Sequence, residues 1–160
     1  MKAAGQITLL YDSTDETAAR TAAAVQDAWK QKLGLIAILR GATAQELADA
    51  LNQGEFMVAL TTVTADRGDA SGLLSLWESG NGYFYSTAYD MLLRAADASG
   101  HVEVRDAYLE DAEAMLVEDS WVIPLYYVHR HSGLAQQLTA PLYDGTGVYR
   151  FSAVVRQTPQ

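Results

Sequence analysis

Apolar and polar positions along this chain switch between two periods, and each switch marks an element. Ile7-Thr8-Leu9-Leu10-Tyr11 is a short apolar run of β character that stops at Asp12-Ser13, residues suited to a turn. Ser13 and Glu16 have capping-box spacing, which predicts a helix starting there. Ala18, Ala22, Val25, Trp29 and Leu33 then recur at steps of three and four, with Arg20, Gln26, Asp27 and Lys30 off the stripe. Gly34 ends the helix. Leu35-Ile36-Ala37-Ile38-Leu39 is apolar throughout and reads as a central strand covered on both faces.

Thr43 and Glu46 repeat the capping-box spacing ahead of Leu47, Ala50 and Leu51, and Gly54 stands where a C-cap belongs. Phe56 to Thr64 is apolar and rich in β-branched residues, a buried strand. It breaks into Ala65-Asp66-Arg67-Gly68-Asp69-Ala70, followed by a helix-like Leu73, Leu74, Leu76, Trp77 group. Strand and helix alternate through Thr64 as β-α-β-α-β, which predicts an α/β fold with a largely parallel sheet flanked by helices. Beyond the Gly80-Asn81-Gly82 turn, Ser86 or Thr87 caps a helix carrying Tyr89, Leu92, Leu93 and Ala96, closed by Gly100. From about His101 to Asp119, Val104, Tyr108, Ala112 and Met115 form a helical stripe. Trp121 to Val128 reads as a strand that Pro124 confines to an edge or bends. The pattern loosens from Ser132, where Pro141, Gly145 and Gly147 mark loops, and Val148 to Arg156 alternates as a strand. No stretch has the character of an interdomain linker, so residues 1–160 are expected to form a single domain.

Charge narrows the possible partners. The net charge is -9, from 20 acidic and 11 basic residues, and no Lys/Arg cluster offsets it, which argues against nucleic acid and anionic membrane surfaces. There is no cysteine, which excludes disulfides, thiolate metal sites and a Cys nucleophile. No apolar run approaches the roughly 18 residues of a membrane helix. The amino-terminal residues lack the apolar core of a signal peptide, so the chain is expected to be cytoplasmic or to be a piece whose export signal lies elsewhere.

A strand ending in acids and a turn is where α/β sheets place ligand-binding groups, and Asp66 and Asp69 stand there. Two carboxylates three apart suit a grip on an ammonium, acid–base work, or the capping of turns and the next helix. No nucleophile or oxyanion device accompanies them, and spacing alone favours capping. His129 and His131 would share a strand face, an incomplete metal site without a third ligand. Tyr83, Phe84, Tyr85, Tyr126 and Tyr127 could stack on a ligand or pack in a core. Phosphate-cradling, nucleophile-elbow and zinc-protease motifs are absent from the sequence.

The order of the segments resembles the second, carboxy-terminal lobe of the peptide- and nickel-binding family of extracellular solute-binding proteins, which feed ABC importers. Ile7 to Tyr11 with Ser13 is similar to that lobe's "LTLLY-x-S/T" opening, and Val25, Trp29 and Lys32-Leu33-Gly34 to its first helix. Gln53 to Ala59 resembles its "G-x-F-D-hydrophobic" strand, and Thr64 to Asp69 its "A/G-D-x-x-D/E-P" step. Gly82-Tyr83 with Tyr89-Asp90-x-Leu92-Leu93, and Glu118 to Ser120 with Ile123-Pro124-Leu125-Tyr126-Tyr127, complete the series.

The resemblance implies a ligand-facing lobe of a two-lobed protein with the first lobe absent, working outside the cytoplasmic membrane by hinge closure and delivery to a membrane permease. It implies no covalent chemistry and no cofactor. By position Asp66 would hold the free amino group of a peptide-like solute, with Val63, Thr64 and Ala65 lining the cleft and pairing with an extended ligand. The family's Gly-Trp is here Thr62-Val63, its proline is Ala70, and an aromatic further on is Leu73. Two other readings stand beside it: a stand-alone α/β interaction domain that kept the fold, and an enzyme using Asp66 and Asp69 as an acid–base pair.

Overall fold

The computed structural model describes residues 6–65, 67–80, 84–128, 135, 138, 142–143, 149–150 and 154–156. The chain divides into two compact units, residues 1–63 with 79–85 and residues 64–78 with 86–160.

The first unit is built on a parallel sheet of three strands, β1 (Ile7–Asp12), β2 (Ala37–Ala42) and β3 (Val58–Leu60), in the order β2-β1-β3. Helices α1 (Glu16–Leu33) and α2 (Ala44–Gln53) make the crossovers. The first crossover runs from β1 to β2 and the second back past β1 to β3, and right-handed crossovers in opposite directions put successive helices on opposite faces. Leu9 and Leu10, adjacent on β1 and so facing opposite ways, are each 2% exposed. Leu10 packs with Ala42, Leu47, Ala50, Leu51, Phe56 and Ala59 on the α2 face. Leu9 and the fully buried Ala22 of α1 lie within the core.

The centre of this sheet is therefore β1, and β2 lies at an edge. The strand expected at 35–39 is also displaced: Ile36 precedes β2 and Ile38 lies within it, and they are 70% and 42% exposed. An unbroken apolar run signals strand character, whereas the crossovers decide which strand is central. At the start of β2, the Gln26 side chain reaches from α1 and donates to the Ala37 carbonyl at 2.7 Å.

Cap chemistry separates the two helix starts. Thr43 and Glu46 form the complete reciprocal box: the Thr43 hydroxyl oxygen accepts from the Glu46 N–H, and the Glu46 carboxylate accepts from the Thr43 N–H. The equivalent box at Ser13 and Glu16 does not form. Asp15 caps α1, accepting from the N–H groups of Thr17 and Ala18. Ser13 is used elsewhere, its N–H and hydroxyl both donating to the Ala42 carbonyl at 2.9 and 3.0 Å. That tie joins the carboxyl ends of β1 and β2. Gly34 and Gly54 close α1 and α2 with φ of 66° and 68°, the left-handed region where a Cβ is costly. Phe84 is buried in this unit, while Tyr85 is 79% exposed.

The second unit carries α3 (Ala70–Leu74), a 3₁₀ turn at Ser75–Trp77, α4 (Thr87–Ala98) and α5 (Val102–Glu118). Ser86 caps α4, its hydroxyl accepting from the Tyr89 N–H at 3.2 Å. Helices α4 and α5 pack as a hairpin with Tyr89, Leu93, Ala96, Leu109, Ala112 and Leu116 buried. The buried stripe of α5 is turned by about one residue from the expected one. Leu109 and Leu116 replace Val104 and Met115 as its buried members, and Val104 is 46% exposed.

The strand expected at 121–128 carries no sheet pairing; Trp121, Ile123, Leu125, Tyr126, Tyr127 and Val128 are all exposed. Pro124 lacks the N–H a ladder needs, and β character in a sequence does not supply a partner strand. Within the expected 148–156 strand, β5 (Tyr149–Arg150) pairs antiparallel with β4 (Leu142–Tyr143), and Arg156 bridges Leu138. His129 and His131 lie outside the described residues.

Candidate functional site

Strand β3 runs parallel to β1, with Leu9 opposite Val58, Leu10 opposite Ala59 and Tyr11 opposite Leu60. It ends at Leu60, four residues earlier than the apolar pattern implied. In a sheet of order β2-β1-β3 the first crossover runs outward from β1 to β2 and the second runs back past β1 to β3, so the direction reverses and the carboxyl ends of β1 and β3 flank a switch point, where open α/β sheets bind ligands. Two loops leave from there, the turn after β1 and the segment after β3.

The turn after β1 is occupied by its own hydrogen bonds. The Asp12 carboxylate accepts from the Thr14 hydroxyl at 2.6 Å and the Thr14 N–H at 2.8 Å, an Asx turn that holds its pKa below the ordinary carboxylate value. The segment after β3 is open. Thr61, Thr62, Val63 and Thr64 are exposed without regular structure, and Ala65 is half-buried. Val63 ends the first unit and Thr64 begins the second. Asp66, the main candidate, lies outside the described residues.

Asp69 stands at the N-cap position of α3 with an extended backbone, yet its side chain makes no cap hydrogen bond. Its carboxylate instead accepts from the Ser71 hydroxyl at 2.6 Å and from the Arg105 guanidinium of α5 at 2.8 Å. The same guanidinium nitrogen lies 3.1 Å from the Ser71 hydroxyl, closing a ring of three side chains. The Ser71 hydrogen bond foremost holds the Asp69 pKa below its ordinary value against the opposing effect of burial, and Arg105 adds to the lowering. Asp69 thus tethers the first turn of α3 through the Ser71 side chain and joins it to α5, in place of the backbone cap that spacing favoured. Arg105 was missed because it falls at a helix position where only apolar residues were counted. Its place in the series Arg105, Leu109, Ala112, Leu116 was the available signal.

The Tyr89-Asp90 pair of the family-like segment is structural. Tyr89 is fully buried and donates to the Leu74 carbonyl at 2.6 Å, while Asp90 is 6% exposed with Arg94 at 3.9 Å. A shallow pocket of about 250 Å³ lined by Thr8, Leu10, Arg40, Glu55, Phe56 and Met57 lies at the entry to β3 rather than its exit. Among the described residues no group of three His, Asp or Glu side chains could hold a metal ion, and no helix is long and apolar enough to cross a membrane.

A three-stranded parallel sheet flanked by helices, with helical segments following its last strand, is the architecture of periplasmic-binding-protein-like lobes. In sequence and fold the chain is related to the peptide-binding solute-binding proteins of ABC transporters and corresponds to part of their length. It is 33% identical over 125 residues to the periplasmic murein peptide-binding protein MppA of Escherichia coli, a match covering 76% of this chain and 23% of MppA. The unliganded open form of MppA superposes with a TM-score of 0.66 at 30% identity, over 72% of this chain and 23% of that one. A second relative, 30% identical over 68% of this chain and 21% of its own length, is the probable deoxycholate-binding periplasmic protein YgiS of E. coli. The pheromone receptor PrgZ shares the fold at TM-score 0.71 and 20% identity, across 96% of this chain and 30% of its own. No family model matches. The chain spans about a quarter of the length of the curated relatives it matches.

Proposed function

We propose that this chain is the ligand-facing lobe of a solute-binding protein that captures peptide-like solutes outside the cytoplasmic membrane, and that Asp66 holds the solute's amino group. The observation that carries the reading is positional. The segment Thr61 to Ala65 leaves the carboxyl end of β3 beside β1, at the switch point of the sheet, and runs directly into Asp66. Open backbone at Val63, Thr64 and Ala65 offers N–H and C=O groups to an extended peptide, the pairing used in strand addition. A carboxylate facing an ammonium is selective because a ligand without the charge leaves the acid unpaired.

Function then follows from geometry and charge, with no bond made or broken. A second lobe supplies the other wall of the cleft, closure about a hinge traps the solute, and a membrane permease of the ABC type receives it. One lobe alone presents half the contacts, so its own affinity is low.

The test is a binding comparison between the protein expressed from its complete gene and its Asp66→Asn variant, using a tripeptide library and the same library N-acetylated. The expected result is loss of preference for free amines in the variant; equal preference in both proteins removes the role from Asp66. Deoxycholate belongs in the same assay because the relative YgiS is named for it. Binding of deoxycholate with indifference to tripeptides would move the solute class from peptides to steroid acids.

A further inference from the structure

We propose that Gln26 guards the outer edge of β2 and keeps that edge from pairing with β2 of a second copy of this chain. In the sheet order β2-β1-β3, no strand covers the outer side of β2 among the described residues. The Ile7 N–H donates to the Ile36 carbonyl and the Ser13 N–H to the Ala42 carbonyl, so the backbone groups of the even-numbered residues face β1. Backbone groups alternate in direction along a strand, which turns those of Ala37, Leu39 and Gly41 outward. The Gln26 amide therefore reaches from α1 to an outward carbonyl, that of Ala37, and occupies it at 2.7 Å. Among the described residues nothing takes the outward groups of Leu39 and Gly41.

This edge is complementary to itself. An antiparallel pairing centred on Leu39 sets Leu39 against its counterpart and Ala37 against Gly41 of the second copy, and all of these residues have outward backbone groups. Each such pair exchanges two N–H···O bonds, so both flanking pairs require the Ala37 carbonyl that Gln26 holds. The same register places Ile38 opposite Arg40 of the second copy, so the one charge of β2 never meets itself. Other protection is slight. The strand has six residues and no proline, and Ile36 just before it and Ile38 within it are exposed. An open edge with those properties is a template for another chain.

The experiment compares the purified chain as wild type, Gln26→Leu and Gln26→Glu, and Gln26→Leu combined with Ile38→Lys or Ile38→Glu. Each is run by sedimentation velocity over a range of concentrations, alongside a thermal melt. Neither leucine nor an ionised glutamate has a proton to donate to the Ala37 carbonyl. The expected result is a monomeric wild type and, in Gln26→Leu, a dimer that dissociates on dilution, with self-association stronger by at least about tenfold. Ile38→Lys, set against Arg40 of the second copy, restores the monomer, whereas Ile38→Glu in the same place tightens the dimer. Gln26→Glu carries the test if Gln26→Leu does not fold. Monomers throughout, with or without a lower melting temperature, make Gln26 a structural tie only and overturn the proposal. So does a wild type that associates as strongly as Gln26→Leu, and so do Ile38→Lys and Ile38→Glu acting alike.

Discussion

The phenolic oxygen of Tyr89 lies 2.6 Å from the carbonyl oxygen of Leu74 and donates its proton to it, linking α4 to the last turn of α3. Leu74 ends α3 and is the N-cap of the 3₁₀ turn Ser75–Trp77, so the Tyr89 phenol ties the junction of both to α4. Tyr89 has no exposed surface, so the acceptor it serves has no ready substitute in solvent. Replacement by phenylalanine keeps the ring and removes the donor. Tyr89→Phe is expected to lower stability by about 1–3 kcal/mol, read by chemical denaturation.

The same tyrosine predicts an alkaline limit. Burial foremost, with the nearby Asp90 and Glu78 carboxylates, raises its pKa above the ordinary 10.0. In the unfolded chain it loses its proton near that ordinary value, so the folded state binds more protons above it. Stability is complete below pH 10.0 and falls as pH rises toward the raised folded value. A tyrosinate titration at 295 nm should show one phenol fewer ionising before denaturation in the wild type, and no such difference in Tyr89→Phe.

Asp69 sets an opposite limit at low pH. Its pKa is depressed below 3.8, so its contribution is present above that value and is lost as pH falls through the folded one. Asp69→Asn is expected to be less stable than wild type by a constant amount above about pH 4, with the difference shrinking below it. Denaturation midpoints at about pH 7 and about pH 3 check the sign.

Ser120 adopts φ 59° at the end of α5, a left-handed conformation uncommon for a residue with a Cβ. Its N–H donates to the Val117 carbonyl and that of Trp121 to the Leu116 carbonyl, a Schellman closure like the one glycine makes after α2 at Gly54. Ser120→Gly is expected to stabilise the protein by about 0.5–1 kcal/mol, and Gly54→Ala to destabilise it by a similar amount. Opposite shifts in melting temperature are the readout.

Gly41 is small for a packing reason. A Cβ there would come within 2.8 Å of the Ser13 Cβ, an atom fixed to the backbone of the turn after β1. Gly41→Ala is expected to cost about 1–3 kcal/mol. Ser13→Gly removes the obstacle along with a hydrogen bond to Ala42, so the double variant should be more stable than the sum of the singles implies.

Much of the fold is written locally. The capping predictions that hold concern residues whose partner lies within four positions: Thr43 with Glu46, Ser86 with Tyr89, and the glycines closing α1 and α2. At Ser13 the capping box gives way because a carbonyl 29 residues away offers its hydroxyl a better use. The α5 stripe was turned because an arginine half-buried by a long-range ion pair occupies a position an apolar count passes over.

The sequence by itself determined the alternation of strand and helix, the helix ends set by capping side chains and glycine, and the kinship with peptide-binding lobes carried by segment order. These rest on interactions between near neighbours and on patterns a linear reading can see. Tertiary structure alone decided that β1 and not β2 is central, and that the segment after β3 leaves at a switch point. It also decided that the Asp69 carboxylate takes Arg105 of α5 as a partner beside Ser71. Each depends on groups tens of residues apart meeting in space, and which of several chemically acceptable partners a side chain takes is settled by where the crossovers bring them.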